Sequence, residues 1–170
     1  GAPAVHTYLC FAFWRLTMTS KLPQSILFCC DHNAVRSPMA EGLMKKFYGS
    51  KTYVQSAGVL ADKDIDGFSI AVCAELGIEL ARHKSRSFDE MQKLGDELSS
   101  FDLIVALSPA SQKEAAKITR FYALQVNYWP IIDPTGIGEG REENLVSYRK
   151  ARDQIIERLI TKFGPPQTEL

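Results

Sequence analysis

Ser25-Ile26-Leu27-Phe28-Cys29-Cys30-Asp31-His32-Asn33-Ala34-Val35-Arg36-Ser37-Pro38 is the stretch on which the reading of this chain turns. An apolar run from Ser25 to Cys29 has the length and bulk of a buried parallel strand. It ends at a thiol, and a short loop follows. Ser37 and Pro38 then open a helix, Ser37 as a candidate N-cap and Pro38 as a residue suited to the first turn. A thiol, a cation and a row of free backbone N–H groups therefore surround one small hole, which suits a tetrahedral oxyanion such as phosphate.

Working outward, Met39, Leu43, Met44 and Phe47 form a helical apolar stripe that Gly49 stops, with Glu41 in the first turns. Thr52 to Ala57 reads as a second strand, closed by Gly58. Asp66 can cap a helix carrying Ile70, Cys73, Ala74 and Leu76, ended by Gly77. A shorter helix is expected from Phe88 to Leu98, a third strand from Phe101 to Leu107, and a helix from Ser108-Pro109 to about Tyr122. Gln125 to Trp129 is a short fourth strand, and Pro130 to Gly140 is a loop rich in proline and glycine. A long helix runs from Glu142 to Phe163, with Leu145, Tyr148, Arg152, Ile155, Ile156, Leu159 and Phe163 at helical spacing. The tail from Gly164 is expected to fray. Strands alternate with helices, so the class is α/β with a parallel sheet and right-handed crossovers.

The 170 residues suit one domain with a sizeable core. Twenty basic and twenty acidic residues leave no net charge, which speaks against a nucleic-acid or membrane-surface partner. No run is long and apolar enough to span a bilayer. The four cysteines, Cys10, Cys29, Cys30 and Cys73, form no C-x-x-C pair and no zinc pattern with the histidines. Free thiols point to a reducing, cytoplasmic setting. Residues 1–20 stand apart as an N-terminal extension or a cloning segment, and residues 21–166 as a single domain. Gly1-Ala2-Pro3 reads as a cloning scar. Val5 to Leu16 lacks the basic start and cleavage site of a signal peptide. Met18 lies just before the domain start, so residues upstream read either as an extension docked on the surface or as an over-long reading frame.

A thiol is a nucleophile only as thiolate. At a helix N-terminus, with Arg36 folded over the same hole, Cys30 is placed to favour that form. The planar fork of Arg36 can hold two phosphoryl oxygens at once. Ser37 can donate to the sulfur as it becomes a leaving group, and Asn33 can hold the loop through bonds to nearby backbone.

These residues resemble the phosphate-binding loop of the low-molecular-weight protein tyrosine phosphatases, and the resemblance extends from Ser25 to Phe163. Ser56-Ala57-Gly58 is similar to the S-A-G after the family's second strand. Gly77-Ile78 with His83-Lys84-Ser85-Arg86 resembles its G-I and H-x-A-R segment, and Phe101-Asp102-Leu103-Ile104 its F-D-L-I strand. Asp133-Pro134 resembles the loop that carries the family's general acid. From spacing alone Asp-Pro is also a common turn dipeptide, which leaves that role open. The resemblance implies a flavodoxin-like three-layer sandwich with a four-stranded parallel sheet in the order 2-1-3-4. It implies Cys30, Arg36 and Asp133 as catalytic residues, and Asp31, His32, Asn33, Ala34, Val35 and Ser37 as the substrate-binding remainder of the loop. The mechanism it implies passes through a phosphocysteine and needs no metal or cofactor. The implied partner is a phosphorylated protein or a small phosphate ester, with the enzyme a monomer or weak homodimer.

The chain departs from the family at His32, where a glycine is frequent, and at Val35, where a second cysteine is frequent. A non-glycine residue at His32 is strained if the loop needs a positive φ there. Its side chain either touches substrate, adds positive charge near the phosphate, or faces solvent. Without a cysteine at Val35 the protective loop disulfide cannot form. Alternation points Cys29 away from Cys30, so Cys29 reads as core. Thr135-Gly136-Ile137-Gly138 lacks the family's aromatic residues. Tyr128 and Trp129 precede it, and either line the mouth or fill the core. His83 reads as a structural histidine bonded to neighbouring loops. Two other readings remain: arsenate reduction with an external thiol, since only Cys73 follows the loop, and a non-catalytic oxyanion-binding module.

Overall fold

The computed structural model describes residues 22–167, and the expectations for residues 1–20, including Cys10, lie outside them. Four strands form one parallel sheet: β1 (Ser25–Cys30), β2 (Tyr53–Gly58), β3 (Leu103–Ala106) and β4 (Gln125–Tyr128), in the order β2-β1-β3-β4. The helices are α1 (Arg36–Tyr48), α2 (Gly67–Ala74), α3 (Phe88–Lys93), α4 (Pro109–Thr119) and α5 (Gly140–Phe163). The α/β class and the strand order agree with the expectation.

Strand alternation sorts the core into two layers. Ile26, Phe28 and Cys30 face one apolar cluster, built with Met39, Leu43 and Phe47 of α1 and Leu145, Ile155 and Leu159 of α5. Leu27 and Cys29 face the other, built with Phe88 and Met91 of α3 and Ala115 of α4. The two adjacent cysteines therefore point to opposite faces. Cys29 Sγ donates toward the Val105 carbonyl at 3.6 Å, and burial pushes its thiol up, with Cys30 adding to the effect. Cys29 is core, as its position in the strand implied. Trp129 also belongs to the core, its ring 6.1 Å from Phe28, while Tyr128 packs half-buried on the opposite layer.

Several boundaries differ from expectation for local reasons. α1 begins at Arg36, and Val35 occupies the cap position with no side-chain hydrogen bond, so Ser37 is not the N-cap. Glu41 lies beyond the first turn. The segment from Phe88 to Leu98 breaks after Lys93, where Gly95 adopts φ 102°, and a short 3₁₀ turn follows at Leu98–Ser100. Ser108 does cap its helix, with Ser111 completing a capping box. The tail is tied down as far as Gln167: its N–H donates to the Phe47 carbonyl at 2.7 Å, and Tyr48 donates to the Gly164 carbonyl at 2.7 Å.

The order β2-β1-β3-β4 puts the sheet's switch point between β1 and β3, and the crevice at their carboxyl ends is where ligands of open α/β sheets bind. Cys30 ends β1 there. One wall is the segment just before α2, ending at Asp66, which caps that helix through the N–H groups of Phe68 and Ser69. Tyr148 of α5 donates to the other Asp66 oxygen at 2.9 Å, and Arg152 donates to the Val72 carbonyl at 2.7 Å. Those bonds fix α2 against α5.

Candidate active site

The loop 31–35 leaves β1 and is fastened to its neighbours by backbone bonds. Val59 and Leu60 donate to the carbonyls of Cys30 and Asp31 at 3.1 and 2.9 Å, and Asp66 donates to that of Ala34 at 3.0 Å. Gly58 explains why the second strand ends as it does. A Cβ there would lie 2.7 Å from Asn33 N, 2.8 Å from His32 C and 2.8 Å from Leu60 O. The loop crosses β2 so closely that only glycine fits.

Asn33 is the centre of the loop. It is fully buried and adopts φ 53°, a left-handed conformation that asparagine tolerates better than most residues. The positive φ therefore falls at Asn33 and not at His32. Its amide donates to Ser37 Oγ at 2.8 Å and to Ser56 Oγ at 2.9 Å. Its Oδ1 accepts from the Arg86 N–H at 3.0 Å, and its carbonyl accepts from Ser85 at 2.7 Å. His83 Nε2 lies 3.1 Å from both of those oxygens. Both are acceptors, so Nε2 carries the proton. Ser56 passes the chain on to Glu41 at 2.6 Å. The structural reading of His83 holds. Burial pushes its imidazole down, against the opposing pull of Glu41 and the Asn33 carbonyl.

Cys30 is almost fully buried, with Ser37 Oγ 3.0 Å from its sulfur and the Ser37 N–H donating at 3.4 Å. Arg36, also buried, donates to the Ile131 carbonyl at 3.3 Å. Its other nitrogen lies between two carboxylates, 3.6 Å from Asp31 and 3.7 Å from Asp133. Asp133 is half exposed, and its Oδ1 accepts from the Thr135 N–H at 3.0 Å. Burial pushes its carboxyl up, but the bonds from Thr135 and the nearby Arg36 and His32 side chains pull further, holding it below the usual carboxylate range.

A cavity of about 100 Å³ opens over this group, lined by Cys30, Asp31, His32, Ala34, Val35 and Arg36 from the loop, and by Asp133 and Thr135 opposite. Lys63, Asp64 and Asp66 complete its wall. Its size suits one phosphoryl group. Eight of the nine residues singled out from sequence are thus contiguous along the loop, and the structure brings Asp133 to them. The side chains of Asn33 and Ser37 do not line the cavity; they hold the loop from behind. His32 lines it, with a third of its side chain exposed and Nδ1 2.6 Å from Asp62. Sequence reasoning missed Asp62, Lys63, Asp64 and Thr135, and missed that Asp31 competes for Arg36. Asp62 stands thirty residues from its partner with no spacing to mark it.

The profile of the family described as low molecular weight phosphotyrosine protein phosphatase matches residues 25–163. An arsenate reductase of Halalkalibacterium halodurans is 29% identical over 143 residues, covering 80% of this chain and 92% of its own length. A solved arsenate reductase of Archaeoglobus fulgidus is 30% identical with a TM-score of 0.60, over 82% of this chain and 98% of that one. A mutant of YwlE arginine phosphatase with a phosphorylated active-site serine is 25% identical with a TM-score of 0.64, over 81% and 96%.

Proposed function

Because the chain belongs to the low-molecular-weight phosphotyrosine protein phosphatase family, we propose that it is a cysteine-dependent phosphatase acting on phosphotyrosine protein or aryl phosphate monoesters. The observation that carries the reading is the Arg36 guanidinium, buried, lining the same cavity as Cys30 and facing Asp133 at 3.7 Å. A nucleophile, an anion clamp and a proton carrier then share one phosphate-sized cavity.

Two steps follow from that arrangement. The Cys30 thiolate attacks phosphorus, the bond from phosphorus to the leaving oxygen breaks, and protonated Asp133 delivers its proton to that oxygen. Water then attacks the phosphocysteine. The Asp133 carboxylate takes the water's proton, the sulfur–phosphorus bond breaks, and Ser37 Oγ, 3.0 Å away, donates to the departing sulfur. Arg36 and the loop amides hold the equatorial oxygens through both steps. In the free site Asp133 is held ionised by Thr135 and Arg36. A bound phosphoryl dianion takes Arg36 for itself and favours the protonated acid the first step needs.

The names of the curated relatives support a second reading, arsenate reduction. Cys73, the one cysteine downstream of the loop, is fully buried in α2, and burial pushes its thiol up to about 12. Reduction would therefore draw on a thiol from outside the chain.

One comparison separates the readings: p-nitrophenyl phosphate turnover against thiol-dependent arsenate reduction, for wild type and Cys30→Ser. The phosphatase reading expects aryl phosphate hydrolysis by the wild type that Cys30→Ser abolishes. Arsenate reduction with no aryl phosphate hydrolysis at any pH would replace it with the second reading.

A further inference from the structure

The cavity that is to receive a dianion has a wall of the wrong sign. Asp31, Asp64, Asp66 and Asp133 line it, against Arg36, Lys63 and the imidazole of His32. Asp66 is accounted for by its cap and by Tyr148, and Asp133 by its proton-carrying role. Asp31 is not accounted for. It follows Cys30 directly, where a carboxylate repels the phosphoryl oxygens and competes with them for Arg36, 3.6 Å away. Its Oδ1 is buried and has no hydrogen-bond partner among the described residues. A buried carboxylate oxygen without a donor is costly, and so is a carboxylate beside a bound dianion. A cation brought in by the substrate relieves the second cost: it meets the exposed part of the carboxylate beside Arg36, where the Asp31 side chain is 37% exposed.

We propose that Asp31 selects phosphorylated substrates that carry an ammonium or comparable cationic group close to the phosphoryl group. The inference rests on the phosphatase reading and narrows its substrate class. Distance sets how close the cation lies. Asp31 is within 3.6 Å of the guanidinium that holds the phosphoryl oxygens, so the cation sits two or three bonds beyond the ester oxygen and not across a long spacer. There it pairs with Asp31 Oδ2, the oxygen that faces Arg36, and leaves Arg36 to the phosphoryl group.

Non-hydrolysable ligands test this without relying on turnover. Binding of 2-aminoethylphosphonate and of propylphosphonate, equal in length and different in charge, is measured by calorimetry for wild type, Asp31→Asn and Asp64→Asn. The wild type is expected to bind the ammonium ligand about fivefold tighter or more, as for a partly exposed ion pair. That preference disappears in Asp31→Asn and persists in Asp64→Asn. Equal affinities in the wild type, or a preference that survives Asp31→Asn, would overturn the inference. Turnover of O-phosphoethanolamine and propyl phosphate is followed in parallel. The ammonium preference in binding with no hydrolysis of any ester would sink the phosphatase reading and leave the selectivity of Asp31 standing. Hydrolysis with no ammonium preference would do the reverse.

Discussion

The Asp133 carboxylate lies 3.7 Å from the Arg36 guanidinium, although the two residues are almost a hundred positions apart in the chain. The loop that carries Asp133 is held over the loop 31–35 partly by Arg36 itself, which also donates to the Ile131 carbonyl two residues before Asp133. On the proposed phosphatase reading, anion clamp and proton carrier are thus one assembly. Asp133→Asn keeps the shape and removes the proton. Hydrolysis of an alkyl phosphate, a poor leaving group, should fall about 10²- to 10⁴-fold, and that of p-nitrophenyl phosphate far less. Steady-state kinetics on the two esters reads this directly, and equal losses would count against proton donation.

Asn33→Ala should damage both stability and activity. It leaves the hydroxyls of Ser37 and Ser56 without their amide donor and the Arg86 N–H without its acceptor, all in the interior. It also puts alanine at φ 53°. A loss of about 3 kcal/mol is expected, since buried groups are left unpaired and the backbone is strained. Urea unfolding measures it. A change below about 1 kcal/mol would mean that the loop does not depend on this hub.

Gly58→Ala tests the close crossing of β2 by the loop. The new methyl meets three backbone atoms that cannot rotate away. Overpacking of this kind costs about 1–3 kcal/mol. Because the atoms it pushes belong to His32 and Asn33, kcat/KM should fall with stability, at least tenfold on any phosphate ester. Full activity in a destabilised variant would show that the loop can shift without consequence.

His83 makes stability depend on pH. Its folded-state pKa lies below the ordinary value, so the unfolded chain binds the proton more readily and folding is favoured by the neutral ring. The contribution is whole above the unfolded value of about 6.5 and is lost as pH falls from there through the lower folded value. Glu41 opposes the shift and Arg86 and Lys45 reinforce it. Thermal melts of wild type and His83→Gln from pH 8 to pH 5 should diverge, with the wild type losing more stability on acidification. Parallel curves would remove His83 as the cause.

Much of the molecule was legible in the sequence because its signals are local. Apolar runs bounded by Gly49, Gly58 and the Ser108-Pro109 pair mark their own elements, and a cysteine separated by five residues from an arginine, serine and proline marks the loop. What escaped depends on tertiary placement. Ser37 looks like a cap by its neighbours, yet Cys30 and Asn33 claim its hydroxyl once β1 and α1 are packed. The tail looks loose until Tyr48 and Phe47 bond it. His32 and Asp62, thirty residues apart, share no periodic pattern, and only the fold of the segment after β2 sets them 2.6 Å apart.

A cysteine-dependent phosphatase of this kind carries a phosphoryl group on Cys30 during turnover. Rapid acid quenching of the enzyme with p-nitrophenyl phosphate, followed by mass spectrometry of the peptide containing Cys30, tests it most directly. One phosphoryl group is expected on the Cys30 sulfur, accumulating further in Asp133→Asn as dephosphorylation loses its base, and absent in Cys30→Ala. Hydrolysis that proceeds at the wild-type rate in Cys30→Ala, or a phosphoryl group found on another residue, would contradict it.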